Sequence, residues 1–74
     1  MATGETAGQR IKRARLEAGL SQDGLAAKMG STRQMVIQWE KDRHKPRAST
    51  RRRLANATGK DASFFESEDD KEED

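Results

Sequence analysis

The chain has no cysteine, one histidine, one proline and one tryptophan among its 74 residues. Without cysteine there is no disulfide scaffold and no thiolate metal site. A second histidine, a phosphate-cradling glycine loop and paired acids outside one terminal run are also missing. No catalytic constellation can be built from what is left, so neither an enzyme nor a bound cofactor or metal is expected. No apolar run approaches the length of a membrane span. The opening MATGETAG lacks the basic region and apolar segment of a signal peptide, so a cytoplasmic location with no membrane partner is expected. Hydrophobic residues make up only 31% of the chain. That suits one small domain with a small core and marginal stability.

Charge is plentiful and unevenly spread. The formal net charge is +2, but the run ESEDDKEED from Glu66 onward holds seven acids and one lysine. Positions 1–65 then hold 14 basic and 6 acidic residues, a body of +8 joined to a tail of −6. A small domain this basic has the electrostatic footprint of a polyanion binder. The tail, 66–74, is expected to be disordered. Two roles are open for it: keeping the protein soluble, or competing with a polyanion for the basic body.

Residues 1–7 are small and polar without periodicity and are expected to form a disordered arm. A first helix is predicted over 8–18, with Ile11, Ala14 and Ala18 inward, and Gly19 ends it in a left-handed turn. The stretch SQDGLAAKMGSTRQMVIQWE (21–40) then reads as two short helices. Ser21 caps the first and Thr32 the second, and Gly30 makes the turn between them. Leu25, Ala26 and Met29 face inward from the first, and Val36 and Trp39 from the second, joined by either Met35 or Ile37. A basic loop leads to Pro46, and a fourth helix is predicted over 49–58, with Leu54 and Ala57 inward and Gly59 closing it. Asp61 can cap a last short turn bearing Phe64 and Phe65, which lid the core. In an alternative reading Phe65 is half exposed and serves a dimer contact.

The helix predicted from 33 to 41 leaves Thr32, Arg33, Gln34, Gln38 and Lys41 toward solvent. Arginine can fork onto guanine O6 and N7, and glutamine onto adenine N6 and N7. Such a face directly after a helix-turn-helix is therefore a candidate for reading bases, with Thr32, Arg33, Gln34 and Gln38 as the contacts. His44, alone in its loop, suggests no metal. Arg51, Arg52 and Arg53 could face phosphate, an acidic partner or the chain's own tail, or be a solvated helix face.

In the order and spacing of QRIKRARLEAGLSQ, LAAKMG, QWE, the Pro46 loop and RRLANATG, residues 8–65 resemble the lambda-repressor/Cro-like (Xre) helix-turn-helix family. The resemblance implies an all-α, compact five-helix DNA-binding domain whose third helix enters the major groove. It also implies an ion pair between Arg15 and Glu40 that fixes the register of helices one and three. The phosphate contacts expected on this reading are Arg10, Arg15, Ser21, Gln22, Arg43, Lys45 and Arg47. Ser31, Arg51, Thr58 and Asp42 depart from the family's usual valine, leucines and glycine, and each departure is expected to weaken the fold. The function implied is sequence-specific binding of double-stranded DNA by a transcriptional repressor of phage or bacterial type, with a homodimer on two half-sites as one option. The alternative is an antitoxin or other protein-interaction module of the same fold.

Overall fold

Thr6 starts the first helix, because its hydroxyl accepts the Gln9 N–H at 3.1 Å while the Gln9 side chain accepts the Thr6 N–H at 2.9 Å. This reciprocal capping box satisfies donors that a helix start otherwise leaves open. The computed structural model describes residues 5–66. Within them run α1 (Ala7–Glu17), α2 (Gln22–Met29), α3 (Arg33–Glu40), α4 (Ala48–Thr58) and a single 3-10 turn (Ala62–Phe65).

Two expectations shift here. The expected arm over 1–7 cannot extend to Glu5–Ala7: Ala7 is helical, Thr6 caps, and Glu5 bonds the Arg13 guanidinium at 2.7 and 2.9 Å. Residues 1–4 and most of the acidic tail, 67–74, lie outside the described residues. The fifth helix is only a four-residue 3-10 turn, capped by Asp61 through the Ser63 N–H.

Three helices end on the same device. After α1 the Leu20 N–H reaches the Arg15 carbonyl and the Gly19 N–H that of Leu16; after α2 Ser31 and Gly30 bond Ala26 and Ala27 in the same pattern. After α3 the Arg43 and Asp42 N–H groups bond Gln38 and Trp39. This 6→1, 5→2 closure needs a left-handed residue, which is Gly19 (φ 74°), Gly30 (φ 67°) and Asp42 (φ 59°) in turn.

The core is one cluster of Ile11, Ala14, Leu25, Ala26, Met29, Val36, Trp39, Leu54 and Phe65, with Leu20, Met35, Ala55, Ala57 and Phe64 packed against it. Met35, not Ile37, joins it from α3. Ala18 is exposed, because it is the cap of α1 and not part of its inner face. Phe65 is fully buried, which removes it as a dimer contact. Both α1 and α2 pack on α3, α4 braces α1 and α2, and the 3-10 turn closes over α1 and α4.

Arg51 and Thr58, which stand where the resemblance leads one to expect leucines, both find backbone partners. Arg51 Nη1 donates to the Pro46 carbonyl at 3.0 Å, and the Thr58 hydroxyl to that of Leu54 at 2.7 Å.

Candidate nucleic-acid interface

Ser21 and Thr32 fix the two helices of the central motif. Each side-chain oxygen accepts an N–H three residues on, Gly24 at 2.9 Å and Met35 at 3.2 Å. The turn between them then sets α3 with Val36 and Trp39 buried and Arg33, Gln34 and Lys41 exposed. Gln34, Gln38 and Lys41 follow a spacing of four and three and so share one face. Gln38 is half-buried there, and so is Ile37 beside it.

Beside this face lies a groove of roughly 600 Å³, bounded by Lys12, Arg15, Ser21, Gln22, Asp23, Arg33, Ile37, Glu40 and Lys41. Its floor is a buried network. Arg15 Nε donates to Glu40 Oε2 at 2.6 Å and Nη2 to Oε1 at 3.3 Å, while Nη1 donates to the Leu20 carbonyl at 3.1 Å. The Gln22 amide donates to Glu40 Oε1 at 3.2 Å. One carboxylate on α3 thereby holds both α1 and the first turn of α2. Lys12, Arg33 and Lys41 supply positive charge around the opening, and the N-terminus of α2 adds its partial positive charge. Asp23 partly offsets that field from within the same helix turn. The arrangement suits phosphate oxygens approaching from outside: cations around the opening, a helix N-terminus and a fixed side-chain amide.

Of the expected site residues, Arg15, Ser21, Gln22, Arg33 and Glu40 border the groove. Thr32, Arg33 and Gln34 are exposed at the start of α3. Arg43, Lys45 and Arg47 are exposed along the connection to α4 but do not line the groove. Arg10, expected among the phosphate contacts, is turned to the chain itself. Its Nη1 donates to the carbonyls of Phe64 and Glu66, at 3.4 and 2.5 Å, so it ties the 3-10 turn to α1. Arg15 borders the groove, but its side chain is only 9% exposed and its guanidinium is held by Glu40 and the Leu20 carbonyl. Lys12, exposed on α1, lines the groove too, and a helical spacing of three places it on the same side of α1 as Arg15, one turn toward the helix start. Asp23, Ile37 and Lys41 are the other groove residues outside the expected site set.

The shifted carboxyls lie elsewhere. The Arg13 side chain bonded to Glu5 holds that carboxyl below its ordinary range, and in return Arg13 is held more firmly protonated. Lys60 lowers Glu17 in the same way, and bonds from the Ser63 hydroxyl and N–H lower Asp61. The Arg13 and Lys60 cations also lie 4.9 and 5.1 Å from the centroid of the Phe64 ring. Among the described residues, no group of three or more His, Cys, Asp or Glu is placed to hold a metal, and no helix is long and apolar enough to cross a membrane.

Residues 11–65 match the family model described as helix-turn-helix. The chain is also similar to an uncharacterized HTH-type transcriptional regulator of Methanothermobacter thermautotrophicus, 41% identical over 51 residues that cover 69% of this chain and 74% of that protein.

Proposed function

We propose that this chain, which belongs to the lambda-repressor-like helix-turn-helix family, is a DNA-binding transcription regulator that reads a specific duplex sequence with α3 and represses by occupying its operator. The observation that carries the reading is a juxtaposition. Exposed Arg33 and Gln34 and half-buried Gln38 stand directly beside a groove edged by Lys12, Lys41 and the N-terminus of α2. Phosphates held at the groove and by the basic 41–47 connection set the register; the side chains of α3 then meet base edges. Occupancy of a promoter-proximal site excludes polymerase. A single domain covers little DNA, so useful specificity calls for two copies on two half-sites about one helical turn apart.

Selection of bound duplexes from a random pool tests this. A palindromic consensus is expected, with each half read by one copy. Against that consensus, Gln34→Ala loses about 1–3 kcal/mol of discrimination at one base pair and keeps its non-specific affinity. An equal loss on every sequence would overturn direct readout by Gln34. Failure to enrich any sequence would overturn the regulator reading.

A further inference from the structure

Asp42 stands where a helix end wants glycine. Among the described residues it is the one non-glycine with a left-handed backbone, φ 59°. Its carboxylate does not line the groove; it is turned to the start of α1. Oδ1 accepts the Gly8 N–H at 2.9 Å, and Oδ2 accepts the Thr6 hydroxyl at 2.6 Å. The first N–H groups of a helix have no partner inside it, and the positive end of its dipole favours an anion. The end of α3 therefore supplies the anion that the start of α1 needs. The contact is also close. A Cβ on Gly8 would sit 2.5 Å from the Trp39 carbonyl oxygen and 2.6 Å from that of Glu40, so only glycine lets the two backbones meet there.

We infer that Asp42 is a positioning residue for DNA binding. Its carboxylate clasps the start of α1 to the end of α3 and so fixes how Lys41 and the basic 41–47 connection stand toward the phosphates. The inference rests on the DNA-binding reading above. Its weight comes from there being two attachments. Glu40 is gripped by Arg15 and Asp42 by Thr6 and Gly8, about 10 Å further along α1. One attachment leaves α3 free to pivot, whereas two fix its direction. Lys41 lies between the two gripped residues, and Arg43 follows directly after them.

The test uses the full chain with Asp42→Gly, Asp42→Asn and Thr6→Ala. Binding is measured by fluorescence anisotropy on the selected duplex and on an unselected duplex of equal length, and folding is followed by circular dichroism. Glycine takes the left-handed turn without cost, and its substitution also removes a charge that repels phosphate. If Asp42 were only a turn residue, Asp42→Gly would bind both duplexes as tightly as before or tighter. The expected result is a loss of about tenfold on the selected duplex with unchanged or tighter binding to the unselected one. Asp42→Asn keeps one acceptor oxygen and falls between. If Asp42→Gly does not fold, Thr6→Ala decides the matter. It keeps the turn and the charge but also opens the cap of α1, so it is read against Gln9→Ala, which breaks the capping box and leaves Asp42 its partners. Thr6→Ala is expected to lose about threefold more on the selected duplex alone. Undiminished binding by the folded variant overturns the inference while leaving the regulator reading intact. An unsubstituted chain that binds neither duplex overturns both.

Discussion

Arg15 and Glu40 are the most demanding pair of residues in the molecule, with side chains only 9% and 6% exposed. Desolvating two charges costs heavily, and the fork of bonds between them offsets that cost without an obvious surplus. Arg15→Met alone therefore strands a buried carboxylate, and a loss of about 3–5 kcal/mol is expected in urea unfolding. Arg15→Met combined with Glu40→Leu should cost much less, and the double-mutant cycle reads the coupling directly. Equal losses in the single and double variants would mean that the pair serves packing alone. This pair was legible in the sequence through family resemblance, since nothing in helical periodicity matches an arginine at 15 to a glutamate at 40. Asp42 was legible only as a defect. Its compensation depends on Thr6 and Gly8, more than 30 positions away, and on a backbone approach that no local pattern encodes. Arg10 is hard to read for a related reason: from the sequence a helical arginine looks the same whether it meets a phosphate or two carbonyls of the chain's own last turn.

The elements were read more securely than their edges. Periodicity and capping residues located all four helices, and the three glycines with positive φ stand where helix stops were expected. The T-x-x-Q box at 6–9 was available and signals the earlier start of α1. The closing 3-10 turn is held by buried Phe65, as the sequence suggests, and by charged contacts that it does not announce. Glu5 bonds Arg13, Glu17 bonds Lys60 at 2.6 Å, and both cations flank Phe64. The acidic partners have folded-state carboxyls below their ordinary 4.5, and Asp61 lies below its ordinary 3.8. Groups depressed in this way contribute stability that is present above the unfolded values and lost as pH falls through the folded ones. The thermal midpoint should therefore hold down to about pH 5 and fall steadily toward about pH 2. Glu17→Gln should lower the midpoint at neutral pH slightly and flatten the acid limb. Because these groups are exposed and screened, the change is a small fraction of the total. An acid limb unaltered by both Glu5→Gln and Glu17→Gln would show that these staples are idle.

At the scale of the whole molecule, the proposed reading has charge set the strength of binding and α3 its selectivity. If about four or five phosphates are neutralised per copy, the logarithm of affinity should fall with the logarithm of salt at a slope of about −4. Lys12→Ala and Lys41→Ala should each reduce that slope by about one, whereas Arg10→Ala should leave it unchanged. A reversed outcome would return Arg10 to the interface. The basic balance of positions 1–65 announced a polyanion partner from composition alone, but composition cannot say which cations share a face. Only the packed fold brings Lys12 and Lys41 to one groove and turns Arg10 toward the closing turn.

Trp39 sits on the inner side of α3 with 7% of its surface exposed, and the chain contains no other tryptophan and no tyrosine. Excited near 295 nm, an emission spectrum of this protein is in effect a spectrum of one helix. The indole is shielded from anything that meets the opposite face of α3. Its emission should hold its blue position when DNA docks and move to the red only when α3 leaves the core. A single intrinsic chromophore can therefore separate loss of binding from loss of fold in every variant above, without a label.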